Sequence, residues 1–185
     1  HNFKEDFILT KANYLLNHSV GRPLKTSEKN FSEQFYTPWN NSLSEPWEQW
    51  LEIISDFTAS LAKLFNAKQS EFCPQINLSS GLTKILMSLD CAQSKNCVIL
   101  VSEIDFPGMG FALKKSLPED CEIRFIPSNI DITNASVWDE YLTKDVDLVF
   151  VSHAYSNTGQ LSPISQVLSM ARARNIISIL DIAQS

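Results

Sequence analysis

From about residue 71 to the end of the chain, short apolar runs alternate with stretches of helical periodicity. No other feature constrains the fold as strongly. "CVILVS" (97–102) and "VDLVFVSH" (146–153) are nearly continuous apolar runs, as expected of strands buried on both faces. "EFCPQINLS" (71–79), "CEIRFIPS" (121–128) and "IISIL" (176–180) read as three further strands. Between them lie "SGLTKILMSLDCAQ" (80–93), "PGMGFALKKSL" (107–117), "NASVWDEYL" (134–142) and "SPISQVLSMARAR" (162–174), each with helical spacing or a helix start. Asn134 is placed to cap the third of these helices. Such alternation with short connections predicts an α/β fold: a parallel-rich sheet with helices on both faces and right-handed crossovers.

The first seventy residues follow another pattern. "YLLNHSVGRPL" (14–24) reads as an extended arm with a turn at Gly21 and Pro23, and "FYTPWNNSLSEPW" (35–47) as a loop. A long amphipathic helix follows, with Ser44 as its expected cap and Pro46 in its first turn. Trp47, Leu51, Ile54, Phe57, Leu61 and Leu64 share one face of it. We therefore divide the chain into an N-terminal arm (1–45) and the first part of an α/β domain (46–185).

Composition removes several function classes. A net charge of −6, with basic residues scattered, argues against a nucleic-acid surface. No window approaches the ~18 consecutive apolar residues of a membrane span. Cys73, Cys91, Cys97 and Cys121 sit in or beside apolar runs without a CxxC pair, which predicts four buried reduced thiols and a cytoplasmic setting.

In an open α/β sheet, ligands bind beyond the carboxyl ends of the strands, so the residues there carry the functional signal. "SSGLT" (79–83) opens a helix with small residues and a hydroxyl, which suits either a phosphate or a plain helix cap. In "SEIDFPG" (102–108), Phe106 serves either as packing or as a stacking plate. "SHAYSNTGQLSP" (152–163) gathers more hydrogen-bonding side chains than a turn requires. Asp181, at the end of an apolar strand, must be hydrogen-bonded or paired, because an isolated buried charge is costly. Its alternative role is a helix cap. Together, a phosphate cradle, an aromatic plate, a polar loop and a carboxylate on one sheet edge suit a flat, phosphorylated, cationic heterocycle. Pyridoxal phosphate fits this description, since a carboxylate keeps its ring nitrogen protonated. A nicotinamide dinucleotide fits less well, because no G-x-G-x-x-G follows any strand and the chain has only five glycines.

The same stretches resemble the class V aminotransferase group of pyridoxal-phosphate enzymes (fold type I), which includes cysteine desulfurases and kynureninase. "YLLNHSVGRP", "SSGLTKI", "EIDFPG", "VSHAYSNTGQLSPI" and "LDIAQS" follow the family's motif order across residues 14–185. The resemblance implies that Gly81, Leu82 (through its backbone) and Thr83 (through its hydroxyl) hold the cofactor phosphate. It implies that Phe106 stacks on the ring, that Asp181 pairs with the ring nitrogen, and that Gln184 contacts the phenolic oxygen. Ser156 or Asn157 faces the cofactor in the polar loop, and Ser19 helps bind the substrate carboxylate. Met109 and Gln184 stand where kynureninases typically have aspartate and histidine. Lys84, Lys114, Lys115 and Lys144 match no family lysine, so the Schiff-base lysine and the small C-terminal domain are expected beyond Ser185. For the complete protein the resemblance implies a homodimer acting on a small amino-acid substrate. Transamination is the first expectation, cleavage at Cβ or Cγ the second, and a non-catalytic module of the same fold the third.

Overall fold

The computed structural model describes residues 2–41 and 43–185, which form two compact units: His1–Pro74 and Gln75–Ser185.

The first unit is helical. α1 (Ser27–Phe31) runs through a π-helical turn (Ser32–Tyr36) into α2 (Thr37–Asn41), and α3 spans Trp47–Phe65. Residues 35–41 are thus helical, not loop. Pro38 lacks the N–H that an α-helix would direct to the carbonyl of Gln34, and the wider π turn accommodates that loss. α3 starts one residue after Pro46, which occupies the cap position expected for Ser44. It ends at Asn66 in the left-handed region (φ 50°). The ring of Phe35 stacks on Trp50 with centroids 4.9 Å apart, and Trp47 meets Trp50 edge-on. Within this unit Trp47, Leu51, Ile54, Phe57 and Leu64 remain exposed.

The second unit is a doubly wound sheet. α4 (Leu78–Ser88) leads to β1 (Val98–Ser102), α5 (Pro107–Ser116), β2 (Glu122–Ile126) and α6 (Ala135–Tyr141). β3 (Leu148–Ser152), α7 (Ile164–Ala173) and β4 (Ile177–Asp181) complete it. All strand pairs are parallel, in the order β2-β1-β3-β4. Among the described residues four strands form, not five: residues 71–79 hold the end of a 3-10 turn, an irregular stretch and the start of α4. Pro74 removes a ladder donor there, and Asn77 is committed to capping α4, its Oδ1 accepting from the N–H of Ser80 at 2.8 Å.

Strand alternation sends Ile99, Val101, Leu148 and Phe150 to one face, against Leu82, Leu86, Met109 and Leu113 of α4 and α5. Val98, Leu100, Val149 and Val151 face the other way, against Trp138 of α6 and Val167 and Ala171 of α7. The β1-to-β2 connection moves one way across the sheet and the later connections move the other. Right-handed crossovers then put α5 and α7 on opposite faces.

β4 lies at a sheet edge, so its apolar run is only partly buried, and Asp181 with it. The cysteines also differ from expectation. Cys97 and Cys121, at the starts of the neighbouring strands β1 and β2, are disulfide-bonded; Cys73 is exposed and Cys91 half-buried. Adjacent parallel strands in register bring the two residues preceding Val98 and Glu122 side by side. Sequence separation alone cannot show that proximity. The expectation of four buried thiols fails, and with it the argument from cysteines to a cytoplasmic setting.

Candidate functional site

The reversal of chain direction across the sheet falls between β1 and β3, and ligands of open α/β sheets bind at such a point beyond the carboxyl ends. Ser102, Ser152 and Asp181 end three adjacent strands on that side, and Ser152 and Asp181 are direct ladder partners.

α4 and α5 begin at this edge. Phe106 stands at the N-cap of α5, with Pro107 in the first turn, and the residue is 59% exposed. A Cβ built on Gly108 would lie 3.1 Å from Cε1 of Phe106 and 3.3 Å from Oγ of Ser79. The missing side chain of Gly108 is therefore what lets an aromatic ring and the start of α4 share one small space.

Two amides in the first turn of α4, one of them that of Gly81, are already engaged. The N–H of Ser80 donates to Asn77 Oδ1, and that of Gly81 donates to the Asn77 carbonyl at 3.1 Å. Helix geometry leaves the N–H groups of Leu78 and Ser79, at the first two positions, without intrahelical acceptors. The Leu82 side chain belongs to the core. Thr83 lies one turn into α4, where its hydroxyl accepts from Ser116 at 3.2 Å and retains its own proton to donate.

The loop after β3 closes on itself. The N–H of Tyr155 donates to the Gln160 carbonyl, Gly159 donates back to Tyr155, and Ser162 donates to His153. Gly159 takes φ +72°, which suits glycine. Asn157 leans toward the β1–α5 loop, with Nδ2 donating to the Ile104 carbonyl at 3.5 Å, while Ser156 is exposed. Asp181 Oδ1 accepts from the N–H of Ala183 at 2.9 Å, a local turn that leaves Oδ2 available. Oε1 of Gln184 is buried without a hydrogen-bond partner. Ser19 belongs to the first unit, on an exposed turn whose N–H donates to the Leu16 carbonyl. Lys84, Lys114, Lys115 and Lys144 are all exposed. Among the described residues no group of His, Cys, Asp or Glu is arranged to hold a metal ion.

Sequence reasoning missed a buried polar cluster at the same edge. Asp105 accepts from the N–H of Ser102 at 2.9 Å and from the Ser152 hydroxyl at 2.6 Å. Beside it, Tyr155 is buried and accepts from the Ser162 hydroxyl at 3.4 Å. "SEID" shows two carboxylates, but only the fold turns one of them inward: Glu103 is exposed and caps the N–H of Ser128.

Burial pushes the Asp105 carboxyl up to about 6, with the charge of Asp181 adding, against the hydrogen bonds from Ser152 and Ser102 that favour the anion. Burial, with Asp105 nearby, likewise raises the phenol of Tyr155. A folded-state value above the unfolded one means that the stability owed to the protonated acid is full below about pH 4 and lost as pH rises through 6. Urea unfolding of wild type and Asp105→Asn should show this directly. Relative to the variant, wild type should lose on the order of 2–3 kcal/mol between pH 4 and pH 7. Parallel stability profiles for the two proteins would show that Asp105 titrates normally.

A family model for class-V aminotransferases matches residues 22–185. The chain belongs to the class-V aminotransferase family. Within and around it, a kynureninase from Shouchella clausii (strain KSM-K16) is 22% identical over 99% of this chain and 45% of its own length. The cystine C–S lyase C-DES, solved with its reaction product cysteine persulfide, superposes with a TM-score of 0.78 at 21% identity. That match covers 91% of this chain and 46% of C-DES. The apo cysteine desulfurase of Thermococcus onnurineus NA1 gives 0.73 at 16% identity, over 97% of this chain and 45% of the desulfurase. The fold is thus that of the family's solved members, and the chain spans less than half the length of each of these relatives.

Proposed function

We propose that the complete class-V protein is a pyridoxal-phosphate enzyme acting on an amino acid, working as a homodimer as the family resemblance implies. The observation that carries this reading is convergence at one sheet edge. An exposed aromatic residue beside the start of a helix, a carboxylate and a partnerless buried amide oxygen all follow the carboxyl ends of adjacent parallel strands.

The residues present fit the cofactor on two counts. The orphaned Gln184 Oε1 marks a side-chain amide whose orientation awaits a polar partner, and turning the amide over would present its NH₂ to an oxygen. The close approach of Ser79, Gly108 and the Phe106 ring would make a Cβ at Gly108 displace its neighbours by a few tenths of an ångström, which keeps the start of α4 next to the ring. When bound, the protonated pyridine ring supplies an electron sink for charge developing at the substrate Cα. Asp181 would hold the proton on the ring nitrogen through its available oxygen. Phe106 would restrict the ring to one plane, and Gln184 would take the phenolic oxygen. The first amides of α4, with the hydroxyls of Ser79 and Thr83, would carry the phosphate, whose charge the helix N-terminus favours. Both Ser156 and Asn157 are exposed, and Asn157 is the one whose side chain reaches the β1–α5 loop, through the Ile104 carbonyl, which favours it as the residue that faces the ring.

Transamination is the reaction first implied by the motifs. The names of the relatives favour the alternative, cleavage at Cβ or Cγ, since a kynureninase, a cystine C–S lyase and a cysteine desulfurase are among them. No helix among the described residues is long and apolar enough to cross a membrane.

Borohydride reduction of the full-length protein mixed with pyridoxal phosphate, followed by peptide mapping, tests the reading. A pyridoxyl-lysine C-terminal to the "LDIAQS" peptide is the expected result. Assaying the same protein on an amino-acid panel would then separate 2-oxo acid release from side-chain cleavage. If no lysine is trapped, the enzymatic reading fails and the binding-module reading replaces it.

A further inference from the structure

Asp105 occupies the cleft between β1 and β3. Its two oxygens take separate donors from the two strands: Oδ2 from the backbone N–H of Ser102, and Oδ1 from the hydroxyl of Ser152. Both serines are almost fully buried. On one side Asp105 is the immediate chain neighbour of Phe106; on the other, Ser152 is the ladder partner of Asp181. One carboxylate therefore connects the proposed ring-stacking residue to the strand pair that carries the proposed ring-nitrogen partner. A loop closure alone would not call for this residue type. Burying a carboxylate is costly, and a second one stands nearby at Asp181. What an aspartate provides is two acceptors and no donor. An asparagine would keep its oxygen on the Ser102 N–H, but its NH₂ could only donate to the Ser152 hydroxyl, which would have to reverse and accept; an alanine would serve neither.

We propose that Asp105 is a positioning residue: it clamps the end of β1 to the end of β3 so that Phe106 and Asp181 hold a single bound ring between them. This rests on the pyridoxal-phosphate reading above. The clamp acts through geometry and touches no reacting atom. The Asp105→Asn variant exchanges the charge-assisted bond from Ser152 for a neutral one that Ser152 must accept, and the Ser152→Ala variant loses that strand-to-strand link while keeping the charge.

The test uses full-length wild type, Asp105→Asn and Ser152→Ala. Pyridoxal phosphate is titrated into each apoprotein, with visible circular dichroism recorded per bound cofactor and apoprotein Tm measured alongside. Loss of one hydrogen bond to a charged group corresponds to about tenfold in affinity, so Kd should rise about tenfold in Asp105→Asn and in the same direction in Ser152→Ala. The dichroism of the cofactor that still binds should fall in both variants, because the ring is held less uniquely, and by more than any change in apoprotein Tm accounts for. Wild-type Kd and dichroism in both variants would overturn the proposal. So would changes that only track a loss of apoprotein Tm, since those report a structural role. If Asp105→Asn does not fold, Ser152→Ala decides by the same criteria. Failure of wild type itself to bind pyridoxal phosphate would overturn the cofactor reading, and the clamp with it, and is distinct from a wild type that binds while the variants bind equally well.

Discussion

Replacing Asp181 by asparagine in the full-length protein should lower kcat/KM on its amino-acid substrate by about 10²- to 10³-fold, the usual cost of removing one preorganised group from a site of developing charge. The substitution is close to neutral for the local backbone. Asparagine keeps the Oδ1 that accepts from the N–H of Ala183, and the Asp181 carbonyl still accepts from the N–H of His153. Only the negative charge disappears, and with it the proposed hold on a proton at the ring nitrogen. Borohydride should still trap the cofactor on the variant, so binding and chemistry separate. A variant keeping more than a tenth of wild-type kcat/KM would leave Asp181 with no more than the turn it closes.

The largest stability effect should come from Trp138→Ala. Trp138 is fully buried on the α6–α7 face of the sheet, and its indole N–H donates to the Ile132 carbonyl at 2.9 Å. Truncation removes the largest fully buried side chain among the described residues and takes away the indole N–H that this carbonyl accepts from. The expected cost is about 3–5 kcal/mol, read as a shift in the urea midpoint without a change in slope. A loss below about 1 kcal/mol would mean that the α6 layer collapses into the space or is loosely packed to begin with.

Much of the second unit is legible in the sequence because the signals are local. β1 and β3 are continuous apolar runs, Asn134 caps α6 through its own side chain, and Pro107 opens α5. Such features depend on neighbours a few residues away. The misreadings share a different cause. "EFCPQINLS" has strand-like composition, but Pro74 and the capping commitment of Asn77 exclude it from the sheet. The 35–41 stretch reads as loop from its proline and asparagines, yet tertiary stacking of Phe35 on Trp50 accompanies a helix with a π turn.

At the site, the sequence shows which residue types stand at the strand ends, because strand termini follow directly from the apolar runs. It does not show how those ends meet. Glu103 and Asp105 are equivalent on paper, and Asp105 alone turns inward because Ser102 and Ser152 wait there as donors. Thr83 reads as a phosphate ligand, and the fold brings Ser116 onto its hydroxyl from thirty-three residues away. By itself, then, the sequence determined the elements, their alternation and the chemistry available at one end of each strand. The strand order β2-β1-β3-β4, the pairing of Cys97 with Cys121 and the carboxylate clamp across β1 and β3 were decided only by the tertiary structure. All three are contacts between residues distant in the chain, and they follow from which hydrophobic faces find one another, which no local pattern encodes.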